Sequence, residues 1–521
     1  MRRACGYSLL TIVICTQIIF FGFVVCLDSF LYTFTIMPLR FLVAVWRWIS
    51  NTLWWIVKGE KSYLSSSHKC DMLKALLFVL SCYILSLVTD ASKMYHSVRG
   101  QDLVKLYVIF NVLEIADRLC CSFGQDILDT LFSRTTLARR RDGRQPYLRP
   151  IAFFALSLAY VIGHTLVLFY QMVTLNVAIN SYDNALLSLL VSNQFVEIKG
   201  SVFKKFEKEN LFQMTCADIV ERFQLSLMLS FIALRNLIEL AGAQSDGASG
   251  PLPTSFTVLP SLNLLETIFA PVMIVLASEC FVDWLKHAFI TKFNHIRPAV
   301  YARFMDVLAR DLVIASPGQT STAYRHTFVD QSPIVSRRLG FAALPLACLL
   351  VRVAFQIFGM VGDTSHFDEC ALPDAHRLRV SSRIARSTAH SLGATDESGA
   401  VHMALQFVAH GIAWILTIFV AWTFLVGIKI LLGTKLVAYA SQRYATMHER
   451  EQEEQLNARD RNPIGVGKEE KAYDARLAQL LDKPDDNMSK LNPLGQQVEK
   501  SSKAGNLMDV SRYTMVRSRL W

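Results

Sequence analysis

The stretch Ile151-Ala-Phe-Phe-Ala-Leu-Ser-Leu-Ala-Tyr-Val-Ile-Gly-His-Thr-Leu-Val-Leu-Phe-Tyr-Gln-Met-Val-Thr-Leu175 contains no Asp, Glu, Lys or Arg. A helix that crosses the hydrocarbon core of a bilayer needs about 20 predominantly apolar residues, and this stretch exceeds that length. Six further runs satisfy the same ruler, at 8–27, 71–89, 223–242, 262–285, 339–360 and 403–432, whereas 103–119 and 185–198 are shorter or more polar. None alternates polar with apolar residues as barrel strands do, and only helices or closed barrels satisfy the backbone in lipid. The expected fold is all-α: a polytopic helical membrane domain over 1–440, built from seven strong and two weak membrane segments.

Composition agrees. Hydrophobic residues make up 52% of the 521 and charged residues 18%, against about a quarter charged in ordinary soluble domains. The net charge is +10, but Lys and Arg cluster in short groups beside apolar runs. That is the pattern of membrane flanks rather than of a stripe tracking nucleic acid, so the expected partner is the lipid bilayer, with no nucleic acid. The eleven cysteines form neither a C-x-x-C pair nor a zinc-finger spacing and read as small hydrophobes. No P-loop, nucleophile elbow, H-E-x-x-H or dinucleotide fingerprint occurs. Neither catalytic residues, metal ligands nor a cofactor are designated, and the chain is expected not to be an enzyme.

Arg2-Arg3 before an apolar stretch resembles a signal peptide, yet no small-residue cleavage site follows, so residues 8–38 read as a retained membrane segment interrupted at Pro38. Basic residues then orient the rest. The connection 133–149 carries six Arg against one Asp and reads as cytoplasmic, while 243–261 has no Lys or Arg and reads as lumenal. Lys286, Lys292, Arg297, Arg303 and Arg310 return the chain to the cytoplasm. Between 151 and 198 two arrangements stay open: a two-pass hairpin turning near Asn180–Asn184, or a re-entrant second leg. The polar connection 361–402 reads as loop, and 441–521, with alternating charge signs and three prolines, as a mostly disordered cytoplasmic tail.

Two groups of residues carry candidate function. In the last third of the 262–285 run and just beyond it, Glu279, Asp283 and His287 recur every four residues and share one helical face in or at the edge of the membrane. Arg235 of the preceding run is the expected charge partner. Intramembrane ionisable groups are costly, so this face is either a structural ion-pair contact or part of a transport path. The second group is the basic, aromatic segment at about 195–222. Lys199, Phe203, Lys204, Lys205, Phe206 and Lys208 there read as an amphipathic surface for lipid headgroups or a protein partner. Asp28 and Arg40 flank Pro38, and His164 and His410 each sit beside a glycine within an apolar run, which reads as an interhelical hydrogen bond.

Five long words carry a resemblance: Cys26 to Arg40, Met94 to Gln101, Ser122 to Asp129, Asn193 to Asn210 and Ala277 to Asn294. In this order, across about residues 20–445, they resemble the transmembrane anterior posterior transformation (TAPT) family, formerly labelled cytomegalovirus glycoprotein H receptors. The resemblance implies a multi-pass protein of the endoplasmic reticulum. It further implies links to the centrosome or ciliary basal body and to patterning in animals, to a complex protecting folding proteins in fungi, and to lumenal folding factors in plants. It brings no catalytic residues. Family members usually carry a long polar region before the first membrane segment, whereas this chain starts almost directly on apolar residues. The expected function is a scaffold or adaptor for folding, trafficking or cilium formation, with protein partners in that membrane or at the ciliary base. An ion or lipid transporter or scramblase is the alternative.

Overall fold

The computed structural model describes residues 2–59, 65–89, 91–137, 148–180, 195–202, 204, 206, 208–245, 262–294, 296–315, 334–362, 397–452 and 512. Every regular element among them is helical: α1 (Arg2–Lys58), α2 (Ser66–Val88), α3 (Ala91–Arg99), α4 (Leu103–Leu131), α5 (Arg134–Leu137), α6 (Leu148–Ile179), α7 (Lys208–Ser245), α8 (Leu262–Phe293), α9 (Ala299–Ala315), α10 (Ile334–Leu339), α11 (Ala343–Gly362) and α12 (Glu397–Ala445). The all-α polytopic reading holds. Among the described residues, five stretches are long and apolar enough to cross a membrane: Leu9–Lys58, Ser66–Val88, Leu148–Ile179, Ile268–Phe293 and Leu416–Ala445.

All seven strong runs lie on helices, and two are not among those five. The 223–242 run is the second half of α7, whose first half carries Asp218, Glu221 and Arg222. The 339–360 run is broken at Gly340, whose φ of +69° ends α10 in the left-handed conformation, with Phe341 N–H donating to Ser336 O at 2.9 Å. The run resumes as α11, apolar over Ala343–Ile357. The weak 103–119 run becomes the N-terminal part of the 29-residue α4. Most of the 185–198 run, the 243–261 and 361–402 connections and most of the tail lie outside the described residues.

Helix α1 is the axis of the molecule, packing against α2, α7, α8, α9, α11 and α12. The expected interruption at Pro38 does not occur, because the helix runs through it unbroken for 57 residues. Proline has no N–H for the carbonyl four residues back, and its ring crowds that carbonyl, here Phe34 O. The indole Nε1–H of Trp422 on α12 donates to Phe34 O at 3.2 Å, replacing the missing helix bond from outside. The charges flanking Pro38 are also paired across helices: Asp28 with Lys429 of α12, and Arg40 with Asp71 of α2 at 3.4 Å.

The core joins α1, α6, α7, α8, α9 and α11 around Phe223, whose ring meets Phe23, Phe30 and Phe341 at centroid distances of 5.2, 6.0 and 5.3 Å. Helix α9, inside the connection read as a basic cytoplasmic loop, buries Tyr301, Phe304 and Leu308 in this core. Its acids are tied down as well: Asp306 lies 2.7 Å from Arg443, and Asp311 pairs with Arg338. By contrast the Leu416–Ala445 span is largely uncovered by protein, and Leu416, Ile418, Phe419, Phe424 and Ile430 face outward. Outward apolar side chains suit a lipid solvent, in which polar contacts belong inside.

Candidate functional site

The face predicted on α8 is deeply buried and closes onto α7 and α9. Asp283, Lys286 and His287 are 1%, 0% and 0% exposed. Arg222 of α7 pairs with Glu279, and its Nε stands 2.8 Å from Asp283 Oδ2. Lys286 Nζ donates to Asp218 Oδ1 at 2.7 Å and lies 3.3 Å from both Asp283 and Glu197. His287 Nε2 is 2.8 Å from the other Asp218 oxygen, while Nδ1 is 2.9 Å from the Tyr301 hydroxyl of α9. Burial pushes that phenol up to about 12, even though the neighbouring imidazole acts the other way. Thus one carboxylate, Asp218, holds two side chains one residue apart on α8. The two permanent cations, Arg222 and Lys286, face four carboxylates: Glu197, Asp218, Glu279 and Asp283.

Two sequence expectations are corrected here. The partner of the α8 carboxylates is Arg222, not Arg235, which instead stacks over the Tyr95 ring at 5.6 Å. Lys286 is not a membrane flank but a fully buried member of the network. Period-four spacing on α8 marked the face, but nothing local on α7 told which of its arginines reaches across. Asp218 and Arg222 are themselves one helical turn apart, which is the signal that was missed.

The basic segment is not one continuous helix. Residues 195–202 are helical, Lys204 lies in a bend, and α7 starts at Lys208. Phe203 and Lys205 lie outside the described residues, and Lys199 is exposed on the short helix. The bend is clamped to the end of α8: Asn294 accepts from Phe206 N–H at 2.8 Å and donates to Lys204 O at 3.2 Å. Phe206 packs against the core.

A second polar cluster joins α4 to α6. His164, 1% exposed, places Nε2 2.7 Å from Asp117 Oδ1 and Nδ1 3.0 Å from the Tyr160 hydroxyl. Gln224 of α7 donates to the second Asp117 oxygen at 3.2 Å. The interhelical role expected for His164 is what its geometry provides. Gly124 makes the arrangement possible, since a Cβ there would lie 1.9 Å from the Tyr160 ring. Beside the cluster is a cavity of about 110 Å³, whose lining includes Cys121, Gly124, Gln125 and Tyr160. His410 is on α12, but its side chain lies outside the described set.

Lipid-facing apolar helices closed over buried interhelical charge define a polytopic helical membrane protein. Residues 64–445 match the model of a family described as a eukaryotic membrane protein family, and the chain belongs to that family. It is 38% identical over 96% of its length to the fission yeast "Endoplasmic reticulum membrane protein 65", covering 74% of that protein. It is 41% identical over 67% of its length to the human "Transmembrane anterior posterior transformation protein 1 homolog", covering 56% of it. With the "Protein TAPT1 homolog" of Dictyostelium discoideum it shares 42% identity over 65% of its length and 38% of the relative's. The chain therefore spans only about half of the animal relatives it matches. No solved structure matches.

Proposed function

We propose that this protein is a non-enzymatic scaffold or adaptor of the endoplasmic reticulum membrane that supports protein folding or trafficking and, in ciliated organisms, cilium formation and patterning. The observation that carries the reading is the α7–α8–α9 network, in which Arg222 and Lys286 are each gripped by at least two carboxylates. Breaking such a buried pair is strongly destabilising, so the network suits a fixed platform better than a moving gate. The compartment rests on the fission yeast relative, whose name places that protein in the endoplasmic reticulum membrane. Fractionation of the tagged full chain should place it with endoplasmic reticulum markers. Crosslinking in those membranes should capture other membrane proteins.

A transporter or scramblase is the second reading, favoured by the four carboxylates, two of them only partly buried, that face Arg222 and Lys286 in the same network. Purified protein in liposomes, assayed for cation flux and lipid scrambling, separates the two. Activity above empty vesicles that Asp283→Ala abolishes at normal protein abundance replaces the scaffold with the transporter. Transport indistinguishable from empty vesicles, together with crosslinked membrane partners, supports the scaffold.

A further inference from the structure

Asp117, Cys121 and His164 bring a carboxylate, a thiol and an imidazole to one point between α4 and α6, with all three ligand atoms within 4.8 Å of one another. Cys121 Sγ is 3.8 Å from Asp117 Oδ1 and 3.9 Å from His164 Nε2, and those two are 2.7 Å apart. Around a tetrahedral zinc with O and N ligands at ~2.0–2.1 Å and sulfur at ~2.3 Å, ligand atoms stand about 3.3–3.6 Å apart. The sulfur distances already approach that triangle, and the imidazole–carboxylate pair needs to open by about 0.6 Å, a small side-chain adjustment.

We propose that these three residues form a binding site for a borderline-soft divalent cation of the zinc type. A mixed N, O and S donor set fits that class better than magnesium or calcium, which take oxygen ligands. The groups already converge on one oxygen: Asp117 Oδ1 accepts from the Cys121 thiol at 3.8 Å and lies 2.7 Å from His164 Nε2. A cation at that point is ligated by all three. The Cys121 S–H bond breaks, its electron pair goes to the metal, and its proton leaves to water. One thiolate and one carboxylate then neutralise the 2+ charge, which a site packed among apolar helices requires. His164 keeps its remaining proton on Nδ1 and donates it to the Tyr160 hydroxyl, while Gln224 fixes the free Asp117 oxygen. Cys121 and Tyr160 also line the neighbouring cavity, which gives the fourth coordination position access to a water or small ligand.

The test uses the full chain, purified in detergent from cells grown with added zinc and dialysed into metal-free buffer. Elemental analysis should find about one zinc per chain, and Cys121→Ser and His164→Gln should each lower it at least about tenfold. Cobalt loading reports separately from folding: wild type should show a thiolate-to-cobalt charge-transfer band, and monodisperse Cys121→Ser should lack it while still eluting as wild type. Monodisperse wild type with below about a tenth of a zinc per chain and no cobalt band overturns the site. Metal content equal in wild type and both variants overturns it too.

Discussion

Arg222→Ala removes the guanidinium that pairs with Glu279 and one of two cations beside Asp283, a carboxylate that is 1% exposed. Removing one partner from a buried ion pair costs about 3–5 kcal/mol, because the other charge stays behind unpaired. At ~2–4 °C per kcal/mol for a domain of a couple of hundred residues, the midpoint should fall on the order of 10 °C. Thermal unfolding followed by size-exclusion chromatography with a fluorescent tag measures this directly in detergent. The sharper measurement is a double-mutant cycle. Asp283→Leu alone leaves Arg222 short of a carboxylate, and combining it with Arg222→Ala removes both charges, so the pair should cost less than the sum by about 0.5–3 kcal/mol. Single variants melting within a degree of wild type, or a double variant melting at the sum of the singles, would refute the argument that this network holds α7 to α8.

Gly124→Ala should destabilise the α4–α6 contact by about 1–3 kcal/mol, since its methyl lands 1.9 Å from the Tyr160 ring and must push that ring off His164; a lower melting midpoint checks it. Trp422→Phe should lose about 1–3 kcal/mol by orphaning Phe34 O. Adding Pro38→Ala should recover most of that loss, because alanine restores the helix's own N–H donor. On topology, the Asn487-Met-Ser489 sequon should stay unmodified, while a sequon engineered into 243–261 should gain a glycan; a mobility shift showing the reverse pattern overturns the charge-based orientation.

Uniform apolar runs made α2, α6 and α12 legible, because length and hydropathy are properties of one segment. What the sequence hid is lateral. Arg235 looked like the natural partner because it lies inside the apolar run, whereas Arg222 precedes that run and was seen as part of a basic stretch. Lys286 looked like a boundary lysine because a cation after an apolar run usually is one, and its 2.7 Å contact, Asp218, lies 68 residues away. Likewise Asp117 sat in a run too polar to count as a confident span, and its polarity is explained by His164, 47 residues on. Helical periodicity fixes which face of one helix is polar. It does not fix which turn of another helix that face will meet.

The Trp422 bond to the carbonyl beneath Pro38 also has a consequence in time. Phe34 and Trp422 are separated by 388 positions, and Lys429 meets Asp28 across a similar gap. At ribosomal speeds of about 5–20 residues per second, α1 waits roughly 20–80 s in the bilayer with an unsatisfied carbonyl and an uncompensated aspartate. The newborn first helix is therefore a client of whatever shields polar groups in the membrane until synthesis reaches α12, and any chain cut short before Trp422 never completes its own first segment.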